Sequence, residues 1–140
     1  DNALKELKLK SNIKVNNRKL LNGILEQSGV FKDKESVIIT IDKLAKYGNK
    51  AVADELKKKG VDKKAIDKVM DLISLTGKNN EILNKVKKKV DNKIGREGIK
   101  ELEELFSYLK KLCVKPEFNL SLARGLGYYT STVFEVFLKA

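Results

Sequence analysis

The stretch Leu122-Ala-Arg-Gly-Leu-Gly-Tyr-Tyr-Thr-Ser-Thr-Val-Phe-Glu135 links two segments that have the pattern of β-strands, and it carries an uncommon set of side chains. Arg124 is a fixed cation whose planar guanidinium can bind a phosphate or a carboxylate through two parallel hydrogen bonds. Gly125 and Gly127 allow a sharp turn or a close approach of the backbone to a ligand. Tyr128 and Tyr129 can wall a pocket for a small ring. The stretch therefore predicts a site for a small, anionic, ring-bearing ligand.

The segments on either side of this stretch predict a sheet. Apolar and polar residues alternate from Phe118 to Leu122, which is the period of a strand with one buried face. Thr132–Leu138 is nearly continuously apolar, as in a strand covered on both faces, and only Glu135 interrupts it. Asn12–Asn16 also alternates and predicts a short, half-buried strand. Both ends of the chain are thus expected to supply strands.

The residues between these ends predict short amphipathic helices. Asn16 or Asn17 is expected to cap the first helix, whose buried face repeats at helical spacing. The apolar stripes of the expected helices are Leu20–Leu25, Val37–Ala45, Val52–Leu56, Ile66–Ile73, Ile82–Val90 and, in the strongest helix, Ile99–Leu112. Glycines are expected to end three of them, at Gly48, Gly60 and Gly77, and Asp62 and Asn79 to cap the fourth and fifth.

Basic residues are concentrated in the middle of the chain. The 140 residues carry a formal net charge of +11 from 30 basic and 19 acidic side chains, and residues 32–93 hold 17 of the basic and 10 of the acidic ones. Such an excess favours a polyanion such as RNA. The lysines that are candidates for RNA contact form two triplets: Lys57, Lys58, Lys59, Lys87, Lys88 and Lys89. A structural role is equally open, because cations stabilise the C-terminal ends of helices.

The chain contains one cysteine, Cys113, and no histidine. These residues exclude an internal disulfide, a Cys/His metal cluster and a Ser-His-Asp mechanism within this chain. A single cysteine fits a reducing compartment, so a cytoplasmic location is expected. Cys113 follows two leucines of the last helix and is expected to be a buried packing residue. No apolar run approaches the ~18 residues of a membrane helix, so no membrane partner is expected.

The two motif-bearing ends of the chain resemble the histidyl-tRNA synthetase family of class II aminoacyl-tRNA synthetases. The run from Leu120 to Glu135 resembles the histidine-specific motif of that family, and its Leu-Ser-Leu-Ala-Arg form resembles the archaeal and eukaryotic branch. The run from Ile13 to Ile24 resembles the strand and helix that follow motif 2. Ile41-Asp-Lys-Leu44, followed by Gly48, resembles the entry to the insertion domain.

The chain departs from the family pattern in two positions and in its extent. Gly127 stands where the family usually has Asp, and Ser131 stands where it has Gly. Class II motifs 1, 2 and 3 and the anticodon-binding domain are not in these residues. The chain, which begins at Asp1, is therefore expected to be a fragment.

The resemblance implies a mostly α fold with a few strands, in which a basic helical insertion subdomain is flanked by pieces of the antiparallel-sheet catalytic domain. Its segments would be residues 1–31, the strand and helix after motif 2; residues 32–95, the insertion domain; and residues 96–140, a helix and the strands that carry the histidine-specific motif. The isolated fragment is expected to be inactive.

The resemblance also implies ATP-dependent activation of histidine and its transfer to tRNA(His), with ATP and Mg²⁺ used by a homodimeric full-length enzyme. Arg124 would bind the carboxylate of histidine and the α-phosphate of ATP. Tyr129 would hydrogen-bond the imidazole, Tyr128 would line the pocket, and Gly125 and Gly127 would let the backbone approach the substrate. The helical insert would contact the acceptor stem of the tRNA.

Two other functions stay open from the sequence. Catalytically inactive relatives of the synthetase serve as regulatory subunits of a transferase in histidine biosynthesis, although Arg124 and the paired tyrosines argue against that role. A free-standing, basic helical RNA-binding module is the second alternative. The apolar strand near the C-terminal end argues against it, since such a module has no use for that strand.

Overall fold

The chain is described by a computed structural model over residues 10–123 and 132–139. Within these residues the fold has six helices and three strands. In chain order they are β1 (Lys10–Asn17), α1 (Arg18–Gln27), α2 (Lys34–Asp42), α3 (Leu44–Lys58), α4 (Lys63–Ile73), α5 (Asn79–Lys89), α6 (Lys93–Lys111), β2 (Glu117–Phe118) and β3 (Thr132–Lys139). The predicted fold class, mostly helical with a few strands, is confirmed.

The strands form one small mixed sheet in the order β2-β1-β3. β1 runs antiparallel to β3, in a register that pairs Lys10 with Lys139 and Asn17 with Thr132. It runs parallel to the short β2, with Lys14 opposite Glu117. The two ends of the chain therefore meet in one sheet, and the prediction that both ends supply strands is confirmed.

The prediction of a strand over Phe118–Leu122 is correct only for Phe118 and wrong for the residues that follow. β2 ends at Phe118, and the chain then turns, with the Leu122 N–H donating to the Asn119 carbonyl at 3.1 Å. Asn119 Oδ1 also accepts hydrogen bonds from the N–H and the hydroxyl of Ser121, at 2.9 and 2.6 Å. Such local side-chain bonds offer the backbone an alternative to the sheet ladder. The alternating burial survives the turn, because Phe118, Leu120 and Leu122 are all buried.

The core is built around α1. Its four predicted inward residues, Leu20, Leu21, Ile24 and Leu25, are fully buried. They join one hydrophobic cluster that extends through α2 to α6 and into the sheet region. Asn17, one of the two candidate caps, caps α1: its Oδ1 accepts the Leu20 N–H at 3.1 Å.

The helices of the middle segment differ from the prediction at their ends. Gly48 does not end a helix that began at Val37, because α2 already ends at Asp42; Gly48 instead interrupts α3 with φ 84°. α4 ends at Ile73, before Gly77. Asp62 caps α4 as predicted, accepting the Lys64 N–H at 3.1 Å.

Asn79 is not the cap of α5, which begins after Lys78. Its amide Nδ2 donates to the Pro116 carbonyl at 2.7 Å, and its Oδ1 accepts the Phe118 N–H at 2.9 Å. Asn79 therefore holds β2 against α5, and the side chain that the sequence marks as a cap is used for a tertiary contact.

The C-terminal end of α6 lies at the surface, which corrects the expectation for Cys113. Ile99 and Leu102 are buried, but Leu112 is 53% exposed. Cys113 is exposed and has a left-handed backbone, with φ 58°, directly after the helix ends. The apolar stripe extends one turn beyond the part of α6 that the core covers.

One face of β3 is also open within the described residues. Val133 is fully buried, whereas Phe134 and Val136 are 46% and 50% exposed. The strand that was predicted to be covered on both faces is thus covered on one face by this part of the chain. Of the helices in the described ranges, none combines the length and the apolar character needed to cross a membrane.

Candidate functional site

The residues predicted to bind the ligand lie outside the described residues: Arg124, Gly125, Gly127, Tyr128 and Tyr129. Both ends of the stretch that contains them are described. Ala123 immediately precedes it, and Thr132 immediately follows it. The structure therefore shows how these two ends are held.

Asn16, in β1, holds the incoming end. Its buried Nδ2 donates to the carbonyls of Leu120 and Leu122, at 3.0 Å each. Both leucines are buried, so their carbonyls depend on protein donors rather than on water. One side chain thus fixes the backbone path that leads to Arg124.

Asp42, the last residue of α2, contacts the same end of the stretch. The N–H of the fully buried Ala123 donates to Asp42 Oδ1 at 3.3 Å. Asp42 belongs to the run Ile41–Leu44 that resembles the entry to the insertion domain. Two of the segments that resemble the family, the ones that contain Asn16 and Asp42, therefore both contact the third.

The outgoing end is held by the sheet. Thr132 lies opposite Asn17, and Val133 lies opposite Asn16, in the antiparallel pairing with β1. Because Asn16 also anchors the incoming end, the stretch begins and finishes beside the carboxyl end of β1.

A partly buried polar network lies at the start of α1. Asn17 Nδ2 donates to Glu101 Oε2 at 2.7 Å, and Lys19 Nζ donates to Glu101 Oε1 at 2.6 Å. The hydrogen bond with Glu101 raises the pKa of Lys19, against the opposing effect of desolvation. Arg18 is only 3% exposed and pairs with Glu35 Oε2 at 2.6 Å. The network ties β1 and α1 to α6 and α2.

The sequence prediction missed Asn16 and Asp42 as residues that position the site. The pair Asn16-Asn17 at the end of an alternating segment is the signal that could have shown Asn16, because only one of two adjacent amides can cap the next helix. No comparable local signal marks Asp42, since its contact with Ala123 joins positions far apart in the chain.

In the first lysine triplet, one side chain contacts a neighbouring helix and the other two are exposed to solvent. Lys59 Nζ donates to the Ser36 carbonyl at 3.0 Å and contacts Thr40 Oγ1 at 2.6 Å. Glu55 accepts from Lys43 at 3.0 Å, and this hydrogen bond is the main cause of its lowered pKa. Lys57 and Lys58, in the last turn of α3, are exposed.

The second triplet shows the same division. Lys87 Nζ pairs with Glu103 Oε1 of α6 at 2.6 Å, although both side chains are largely exposed. Lys88 and Lys89 are exposed in the last turn of α5. Exposed pairs such as Lys87–Glu103 contribute little to stability, so this contact does not remove Lys87 from the candidates for RNA contact.

The described part of the chain contains no group of three or more acidic, cysteine or histidine side chains placed to hold a metal ion.

Sequence comparison identifies relatives along nearly the whole chain. The model of a protein family described as histidyl-tRNA synthetase matches residues 2–140. The histidine–tRNA ligase of Clostridium tetani is 38% identical over 130 residues, which cover 90% of this chain and 29% of that protein. Histidine–tRNA ligase 2 of Shouchella clausii is 42% identical over 139 residues, which cover 97% of this chain and 32% of that protein. The chain thus spans about a third of the length of these relatives. Both relatives are bacterial, and the resemblance to the archaeal and eukaryotic branch stays a prediction.

Solved structures share the fold. The crystal structure of histidyl-tRNA synthetase from Nostoc sp. PCC 7120 matches with a TM-score of 0.82 at 30% identity, covering 92% of this chain and 32% of that chain. A structure described as an ATP phosphoribosyltransferase regulatory subunit/histidyl-tRNA synthetase from Bacillus halodurans matches with a TM-score of 0.80 at 18% identity, covering 98% of this chain and 36% of that chain. At 18% identity the second match shows the fold alone and does not favour the regulatory alternative.

Proposed function

This chain belongs to the histidyl-tRNA synthetase family, and we propose that it supplies one wall of the active site and an RNA-facing helical insert to an enzyme that joins histidine to tRNA(His). The observation that carries the proposal is the family match over residues 2–140, which includes the run from Arg124 to Tyr129. The full-length enzyme would use ATP to form histidyl-adenylate, act as a homodimer, and then transfer histidine to the tRNA.

Arg124 is proposed to bind the carboxylate of histidine and the α-phosphate of ATP. Negative charge develops on the α-phosphate while the carboxylate displaces pyrophosphate, and a cation that is already in place stabilises this charge without reorganisation. The hydrogen bond from the Ala123 N–H to Asp42 supports this role, because it holds the residue that immediately precedes Arg124 in the sequence. Gly125 and Gly127 would leave room for the substrate beside the backbone.

Tyr129 is proposed to select histidine through a hydrogen bond between its hydroxyl and a ring nitrogen of the imidazole. Tyr128 would line the same pocket. An amino acid that lacks the ring nitrogen would leave the tyrosine hydroxyl without a partner, which is how polar sites reject analogues. The Asn17–Thr132 pairing supports this proposal, since it fixes the backbone shortly after the two tyrosines.

Mg²⁺ would accompany ATP in the full-length enzyme and would neutralise phosphate charge. The described residues provide no cluster to hold it, so no role in metal binding is assigned to them.

We propose residues 32–95 as the RNA-facing insertion domain, between catalytic-domain segments at residues 1–31 and 96–140. The exposed lysines Lys57, Lys58, Lys88 and Lys89 support it, because lysines recognise the phosphate backbone rather than base edges. Lys59 has a structural role in the contact between α3 and α2, and it is a weaker candidate than its two neighbours.

Histidine-dependent exchange of pyrophosphate into ATP tests the proposed function. The full-length protein that contains this chain is expected to catalyse the exchange with histidine and not with phenylalanine. The 140-residue chain alone is expected to show none, because class II motifs 1, 2 and 3 lie outside it. A full-length protein without exchange would contradict the proposal, and so would exchange that is indifferent to the amino acid.

A further inference from the structure

A cleft of about 680 Å³ lies between two connections of the helical part of the chain. One wall is the connection between α1 and α2, which contributes Phe31 and Lys32. The other wall is the turn between α3 and α4, with Lys59, Val61 and Asp62. The volume is in the range of sites that hold small molecules or single nucleotides.

Phe31 is the feature of this cleft that packing does not explain. Its side chain is 69% exposed, whereas the adjacent Val30 is 6% exposed and belongs to the core. The segment is held on both sides, by a hydrogen bond from the Val30 N–H to the Leu25 carbonyl at 2.8 Å and by one from the Val37 N–H to the Asp33 carbonyl at 3.1 Å. An aromatic ring is thus presented to solvent on a fixed backbone.

The charged side chains that line the cleft balance, Lys32 and Lys59 against Asp33 and Asp62, and further lysines flank the α3–α4 turn along the chain. The turn from Lys57 to Lys64 contains five lysines and one aspartate. Asp62 is engaged in capping α4, and Lys59 is engaged with α2. The remaining lysines of the turn, Lys57, Lys58, Lys63 and Lys64, are exposed.

The opposite wall is close to neutral. Its lysines and acids alternate from Lys32 to Glu35. Lys34 pairs with Glu26, and Glu35 pairs with Arg18, at 2.6 Å each. The net positive charge near the cleft therefore comes from the exposed lysines on either side of the α3–α4 turn that forms one of its walls.

We propose that this cleft binds an unpaired nucleotide of single-stranded RNA, with the base stacked on Phe31 and the flanking phosphates on the lysines of the Lys57–Lys64 turn. The inference rests on the proposed function only in taking RNA as the partner. It adds a base-stacking site to the backbone contacts proposed above. Single-stranded RNA is the fitting occupant, because an aromatic side chain can stack only on a base that is not already stacked within a duplex.

A tryptophan reporter tests the stacking directly. The chain contains no tryptophan, so a Phe31→Trp variant has one reporter, and a matched Tyr108→Trp variant places the reporter at another exposed aromatic, on α6. A single-stranded RNA of about eight nucleotides, within the usual site size, is expected to quench the fluorescence of the first variant and not of the second. The same RNA in a duplex is expected to quench neither. Equal quenching of both variants, or of neither, would overturn the inference.

Affinity measurements separate this inference from the proposed function. Phe31→Ala is expected to weaken binding of the single strand about 5- to 100-fold, while Phe31→Tyr keeps it; circular dichroism checks that both variants fold. Unchanged affinity in Phe31→Ala would overturn the stacking site, and an equal loss for single strand and duplex would do so too. If Lys57→Gln/Lys58→Gln still weakens binding in those cases, the RNA-facing role stands without the stacking site.

Discussion

The two asparagines at the end of β1 have similar chemistry and different roles. Asn17 caps α1, whereas Asn16 bonds two carbonyls of the segment that leads to Arg124. Asn16 is fully buried, so no water can replace its amide hydrogens. Removal of the Asn16 side chain would take this donor away from the buried carbonyls of Leu120 and Leu122, which costs free energy.

Asn16→Ala is expected to lower the free energy of unfolding by about 2–4 kcal/mol, because two buried carbonyls lose their partners. Urea denaturation followed by circular dichroism measures the change. Asn80→Ala, at an exposed position in the first turn of α5, is the matched control and should leave stability within about 0.5 kcal/mol. If the two variants prove equally stable, Asn16 does not anchor this segment.

Prediction from sequence was most successful for residues whose role is local. Asp62 was recognised as a cap because the helix that it caps follows directly. The buried residues of α1, Leu20, Leu21, Ile24 and Leu25, were recognised because apolar residues recur there at the helical period. Asn79 and Cys113 were assigned wrongly. The partners of Asn79 lie in and next to β2, and the exposure of Cys113 depends on where the core ends along α6. The local sequence pattern shows neither which distant segment a side chain will contact nor where along a helix the core ends.

At the scale of elements, the closest contact in the fold is between α1 and α6. A Cβ atom added at Gly23 would collide with the backbone of Gly95, and one at Gly98 would collide with the backbone of Leu20. The nearest atoms that each added Cβ would meet belong to main chains, which cannot move as the end of a flexible side chain can. These helices pack closely because glycines face the contact, which helical periodicity alone did not show.

Gly98→Ala is expected to destabilise the protein by about 1–3 kcal/mol through overpacking. The direction is informative, since alanine stabilises an isolated helix by about 1 kcal/mol relative to glycine. Thermal and urea denaturation measure the effect, and Ser107→Ala, at an exposed position of the same helix, is the control for helix propensity. A more stable Gly98→Ala protein would show that α1 and α6 are not in such close contact.

At the scale of the molecule, both ends of the chain meet in one sheet, and the helices between them share one core with it. The apolar patterns predicted strands at both ends, and the motif around Arg124 placed the candidate site in the connection that leads to the last strand. The parallel pairing of β1 with β2 and the contact between Asp42 and Ala123 were not predictable, because each joins segments far apart in the chain. One face of β3 is open in the described residues. The chain spans about a third of the length of its relatives.

Binding of RNA by the whole chain is expected to be weak and strongly dependent on salt, because lysines release counterions from phosphates. Fluorescence anisotropy with tRNA over a range of salt concentrations measures the slope of log affinity against log salt. Lys88→Gln/Lys89→Gln should reduce that slope by about 2, whereas Lys110→Gln/Lys111→Gln, an exposed pair on α6, should leave it unchanged. Affinity that is absent at low salt or indifferent to salt would contradict the RNA-facing role.

The rate of histidyl-adenylate formation by the full-length enzyme with Arg124→Ala tests the central claim most directly. If Arg124 stabilises the charge that develops on the α-phosphate, the rate should fall on the order of 10²- to 10³-fold, as for the loss of a preorganised donor. Arg96→Ala, which removes an exposed arginine from α6, should leave the rate unchanged. A normal rate in the Arg124→Ala enzyme would contradict the assignment of the active-site wall to this chain.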